Sequence, residues 1–229
     1  MPAITKVEIE AAANKRVVFA HQSVGRNILD GVNTIANEHG VTFNLVETRT
    51  DSSGKAGIYH FAVGENGAPL KKISDFEQTL SAKPYGKIDI ALVKLCYVDI
   101  TRTSDALAIA KNYVATIKKL QTANPDTRFV AVTAPLTAVN GGVKEWLKKA
   151  VGRGSPDFAH NAKRKEFNDY LRKEFDSAHL FDLARIEAGT PTAEGIEAMR
   201  PEITDDGGHL NEKGQREAGA AFIKLLSAQ

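Results

Sequence analysis

The chain has 229 residues, 42% of them hydrophobic and 25% charged, with a formal net charge of +2 at pH 7. That balance suits one globular domain over residues 1–229 and is too weak to argue for a nucleic-acid partner. No run nears the roughly eighteen apolar residues of a membrane-crossing helix, and the single cysteine, Cys96, excludes an internal disulfide.

Residues 1–14 carry no basic-then-apolar leader. The chain as it stands reads as cytoplasmic, or as secreted or periplasmic if a leader has been removed. Residues 4–14 read as a short amphipathic helix. Val17-Val18-Phe19-Ala20 is a compact apolar run, the mark of a strand buried on both faces. From Val24 the period changes: Val24, Ile28, Val32, Ile35 and Ala36 fall three or four apart, as on a helix stopped by Gly40. Val41–Thr48 alternates apolar and polar and reads as a second strand. Residues 49–68, with Gly54, Gly57, Gly64 and Gly67, read as a long loop, and such loops in compact domains are usually functional.

Pro69 opens a helix to about Ser81. Ile88–Tyr97 is the most apolar stretch and reads as a central strand. Ser104–Thr122 reads as a helix ended by Asn124-Pro125, and Arg128–Leu136 as a fourth strand. Residues 138–156 look irregular, with a short helix around Trp146. Asn161–Asp176 reads as a helix, Leu180–Leu183 as a fifth strand and Glu212–Leu226 as the last helix. Strands alternating with helices predict right-handed crossovers and a mainly parallel α/β sheet covered on both faces.

In such a sheet, ligands bind beyond the carboxyl ends of the strands. His21, Gln22 and Ser23 stand where the first strand becomes a helix. A hydroxyl there meets the positive end of a helix dipole and backbone N–H groups able to hold an oxyanion. The bland reading of Ser23 is a helix N-cap. What weighs against it is Asp206-Gly207-Gly208-His209, just before the last helix. An acid three residues before a histidine can hold one ring nitrogen while the other faces a nucleophile.

Other segments reach the same rim: the glycine loop, Cys96-Tyr97-Val98-Asp99, and Pro135 with Thr137. Cys96 itself reads as a small buried hydrophobe. No His-Glu-x-x-His or clustered Cys/His pattern points to a metal, and no phosphate-binding glycine loop points to a nucleotide. No cofactor is required. The basic residues between Lys144 and Lys165 read as a solvated face, with a slight lean toward an acidic or glycan substrate.

Ser near the start, a glycine loop, and Asp-x-x-His before a C-terminal helix together resemble the SGNH (GDSL-type) hydrolases over nearly the whole chain. The resemblance implies a flavodoxin-like three-layer α/β/α fold, with five strands to be found here. It also implies Ser23 as nucleophile, His209 as general base and acid, Asp206 as the residue orienting His209, and usually ester hydrolysis. The chain departs from the family in two places. The Gly-Asp-Ser opening is His21-Gln22-Ser23, and the oxyanion-binding asparagine of the Gly-x-Asn-Asp block falls on Val98. Gly64 or Gly57 could supply the glycine donor, and Asn66, or Asp99 if protonated, the side-chain donor.

The expected activity is hydrolysis of a small-molecule or carbohydrate ester, an acetylated carbohydrate among them. The rival is a binding module for a glycan or small ligand that has kept the cleft and lost efficient catalysis.

Overall fold

The computed structural model describes residues 4–139, 156–191 and 195–228. Trp146 and the short helix expected around it lie outside these residues, as do Lys144, Lys148, Lys149 and Arg153.

In chain order the elements are α1 (Lys6–Ala13), β1 (Arg16–His21), α2 (Ser23–Glu38), β2 (Leu45–Glu47) and β3 (Gly57–Ala62). They continue with α3 (Pro69–Ser81), β4 (Ile90–Val93), α4 (Ala106–Ala123) and β5 (Arg128–Val132). The chain closes with α5 (Pro156–Glu174), β6 (Leu180–Phe181), α6 (Leu183–Glu187) and α7 (Glu212–Ser227). The strands form one sheet in the order β2-β3-β1-β4-β5-β6, and every pairing in it is parallel.

The sheet has six strands where five were expected. The addition is β3, inside the stretch that reads as a loop. Gly-Ile-Tyr-His-Phe-Ala is short, begins with glycine and carries a histidine, so its apolar run looks broken. Yet its first five residues are buried, and it pairs with the whole of β1, Val18 opposite Tyr59 and His21 opposite Ala62. The expected second strand shrinks to Leu45–Glu47 at the sheet edge.

β1 is central, and its side chains alternate between two cores. Val17 and Phe19 pack with α1, α2 and α7 on one face. Val18 and Ala20 pack with α3, α4 and α5 on the other. On the first face α2 and α7 touch backbone to backbone. A Cβ on Gly31 would lie 1.9 Å from the Gln215 carbonyl oxygen, and one on Gly219 would lie 2.5 Å from the Gly31 carbonyl carbon. Only glycine permits that approach. No described helix is long and apolar enough to cross a membrane.

Candidate active site

The carboxyl end of β1 runs directly into α2. Gln22 is the N-cap residue, but its side chain does not cap the helix. Instead its Nε2 donates to the Val63 carbonyl at 2.8 Å, tying the junction to the loop after β3. Ser23 is therefore the first helical residue, not the cap, and its hydroxyl is exposed. The His21 ring packs over the first turn of α2, where a Cβ on Gly25 would meet it at 2.3 Å. Burial pushes the His21 imidazole down to about 3. Its Nδ1 donates to the Gln22 carbonyl at 2.7 Å, which leaves Nε2 to accept from His60 Nδ1 at 3.3 Å.

The other half of the site comes from the loop before α7. Asp206 Oδ1 accepts the backbone N–H of Gly208 at 2.9 Å and of His209 at 2.7 Å. Those N–H groups, the His209 one first, hold the Asp206 carboxyl well below the usual carboxylate range. Asp206 Oδ2 lies 2.6 Å from His209 Nδ1, and His209 Nε2 lies 2.9 Å from Ser23 Oγ. A carboxylate can only accept. The ring proton therefore sits on Nδ1, and Nε2 accepts the Ser23 hydroxyl.

Neighbouring contacts hold this loop in place. Asn27, one turn into α2, accepts the Leu210 N–H at 3.3 Å. Asn211 caps α7 through the Gly214 N–H at 3.2 Å. Tyr97 stands edge-on to the His209 ring with centroids 5.7 Å apart. It lies against Gly208, where a Cβ would come within 2.9 Å of the tyrosine ring. Beside Tyr97 is a cavity of about 370 Å³ lined by Thr137, Asp157, Asp205, Asp206 and Gly208 among others.

The remaining expected residues separate. Gly57 opens β3 at the amino edge of the sheet and donates to the Lys15 carbonyl at 2.9 Å, far from the rim. The Gly64 N–H is taken by Asp75 Oδ2 at 2.7 Å. Asp99 is buried and accepts from Lys72 Nζ at 2.7 Å, Cys96 N–H at 2.6 Å and Gly67 N–H at 2.8 Å. Three donors converge on it in the interior. Asn66 is exposed, with its Oδ1 held by Lys72 Nζ at 2.7 Å. Val98 is partly exposed and Cys96 is buried.

Two partners escaped the sequence reading, Asn27 and Lys72, and Gln22 was placed at the rim without its tie to Val63. Lys72 had left a signal, since it stands four and eight residues before the core positions Phe76 and Leu80. Two further charged groups lie fully buried, Lys94 and Glu187. Burial lowers Lys94 and raises the Glu187 carboxyl to about 8. Among the described residues no group of three or more His, Cys, Asp or Glu side chains could hold a metal ion.

No family model and no curated protein matches the chain, but solved structures do. A peptidoglycan O-acetylesterase superposes with a TM-score of 0.57 at 11% identity, over 96% of this chain and 94% of that one. A lipase/acylhydrolase from Enterococcus faecalis gives 0.55 at 13% identity, over 93% and 95%. A protein assigned to the G-D-S-L lipolytic family, from Desulfitobacterium hafniense DCB-2, gives 0.54 at 9% identity, over 93% and 99%. At such identities the likeness speaks for the fold alone. The chain therefore has the three-layer α/β/α fold of the GDSL-type, or SGNH, hydrolases, in a sequence-divergent form.

Proposed function

We propose that the chain is a serine esterase with Ser23 as nucleophile, His209 as general base and acid, and Asp206 as the residue that orients His209. One observation carries this reading. Ser23 Oγ, His209 Nε2 and Asp206 Oδ2 form an unbroken relay, with spans of 2.9 Å and 2.6 Å, at the rim where β1 ends. Those distances support the reading, since acyl transfer requires nucleophile, base and orienter within hydrogen-bond reach of one another.

In the first step His209 Nε2 takes the Ser23 proton as Oγ attacks the acyl carbon. The tetrahedral intermediate then collapses, and the departing alkoxide takes that proton from His209. Water attacks the acyl-enzyme and gives its proton to the same nitrogen. The carboxylic acid leaves and Oγ regains its hydrogen.

The oxyanion needs donors. The Ser23 N–H, at the first position of α2, has no carbonyl in its own helix to bond and points with the helix dipole. In the glycine loop, Gly64 and Gly67 already donate to carboxylates. The Asn66 side-chain amide is then the loop's donor in this reading, in place of the family's asparagine at Val98.

For substrate we favour an ester of a polar alcohol, such as an acetylated carbohydrate. The cavity beside Tyr97 has a polar lining that includes Thr137, Asp205 and Asp206, and one structure of similar fold is a peptidoglycan O-acetylesterase. Val98 is what favours the rival, a binding module. Losing one oxyanion donor, however, typically costs only ~10²–10³ in rate and leaves an enzyme.

The test is labelling with a fluorophosphonate, followed by mapping of the modified residue, together with hydrolysis of p-nitrophenyl acetate. Modification of Ser23, with labelling and hydrolysis both lost in Ser23→Ala, is the expected result. A chain that neither labels nor hydrolyses is the binding module.

A further inference from the structure

Helix α3 places a lysine where its period requires an apolar residue. Lys72, Ile73, Phe76 and Leu80 form its buried stripe, and both the Lys72 and Asp99 side chains are 0% exposed. A buried ammonium must find acceptors, and this one has two, Asp99 Oδ2 and Asn66 Oδ1, each at 2.7 Å. Asp99 spends its remaining capacity on the N–H groups of Gly67 and Cys96. One buried ion pair thus joins the loop after β3 to the turn after β4.

Stability is a weak account of such a pair. Desolvating two charges can cost as much as their attraction returns, and apolar replacements are often neutral or better. A second consequence concerns Asn66. An ammonium has only donors, so it fixes which end of the Asn66 amide faces inward: the oxygen. The nitrogen, on the opposite arm of the same carbon, is then the outward end of an exposed side chain. A flipped amide would set N–H against N–H.

We propose that Lys72, anchored by Asp99, is a positioning residue that locks the Asn66 amide with Nδ2 outward. It thereby supplies the side-chain oxyanion donor that Val98 cannot. The inference rests on Ser23 being the nucleophile. It adds why a loop asparagine can act as a preorganised donor, since a donor already aimed costs no reorganisation during reaction.

The decisive variant is Asn66→Asp. It keeps an oxygen for Lys72 and removes the donor. Its melting temperature should stay at or above that of the parent, while kcat on p-nitrophenyl acetate falls about 10²-fold or more, as for Asn66→Ala. Lys72→Met should lower kcat at least tenfold with KM within about twofold, and should add nothing in an Asn66→Ala background, because coupled groups are not additive. Fully additive losses, or unchanged kcat in Lys72→Met, overturn the proposal.

If Lys72→Met leaves Asp99 unpaired and fails to fold, Lys72→Met/Asp99→Asn removes both charges and should show the same loss. Side-chain amide signals of Asn66 in a ¹⁵N spectrum read the lock without turnover. They should move toward the values of a free asparagine side chain in the Lys72 variant, and unmoved signals also overturn the proposal. Fluorophosphonate labelling of Ser23 tests the nucleophile separately, so the failure of one reading is not mistaken for the failure of the other.

Discussion

Asp206 grips His209 at two points, accepting its backbone N–H at 2.7 Å with Oδ1 and meeting its ring Nδ1 at 2.6 Å with Oδ2. Backbone and ring are held by one carboxylate, so the imidazole has neither a free tautomer nor a free orientation. Asp206→Asn separates the two grips. An asparagine oxygen can still accept the backbone N–H groups, while its NH₂ would face Nδ1 and favour the wrong tautomer. We expect kcat to fall about 10³–10⁴-fold, with the melting temperature nearly unchanged. A loss of only a few-fold would remove Asp206 from its orienting role.

The same grip shapes the pH profile. Asp206 is held well below the carboxylate range by the His209 and Gly208 N–H groups, so over mildly acidic pH it keeps its charge. Any fall of activity on acidification should therefore keep a limiting slope of one in log kcat/KM, because Asp206 takes up no proton there. A slope of two would show that the carboxylate titrates as well.

Stability should depend on pH through two buried groups of opposite sign. His21 drops from an ordinary 6.5 to about 3. Below 6.5 the unfolded chain binds a proton that the folded chain refuses, so stability is lost as pH falls from 6.5 toward 3, by up to about 1.4 kcal/mol per unit. Glu187 rises from 4.5 to about 8. Between those values the folded chain holds a proton that the unfolded chain has released, so stability is lost as pH rises through that window. Denaturant melts across pH check both. His21→Phe should flatten the acid side, and Glu187→Gln the side from about 5 to 8. An unaltered pH slope in either variant rejects that assignment.

Gly219→Ala tests the contact between α2 and α7. The added methyl has nowhere to go, with the Gly31 backbone at 2.5 Å. Overpacking of this kind costs about 1–3 kcal/mol, which should lower Tm by several degrees. A Tm equal to that of the parent would mean the two helices separate freely.

Much of this was legible in the residues. A compact apolar run located β1 and strong periods located α2, α3, α4 and α7, and the Pro69–Ser81 helix has the bounds its sequence announces. β3 was hidden because its glycine and histidine break the apolar run that marks a strand buried on both faces. The fifth strand, read as Leu180–Leu183, is present at Leu180–Phe181, and the short α6 that begins at Leu183 went unread because a few apolar residues fit either period.

At the site, Ser23, Asp206 and His209 come together as their spacing implied. The Gly64 N–H and the Asp99 carboxylate are engaged by Asp75 and Lys72, and a group's availability depends on what else binds it. Asp75 and Lys72 reach these groups from α3, and no local pattern records that. Asn66 belongs to the same kind: its residue type was visible, but the lysine that orients its amide was not.

The backbone contact of Gly31 with Gly219 has one more implication, for the life of the nascent chain. Ser23 and His209 are 186 residues apart. On the proposed mechanism the nucleophile is synthesised well before its base. Until α7 seats against α2, Ser23 is an ordinary, unreactive hydroxyl. On that mechanism reactivity arrives only when α7 seats against α2, and fragments that end before His209 carry none of it.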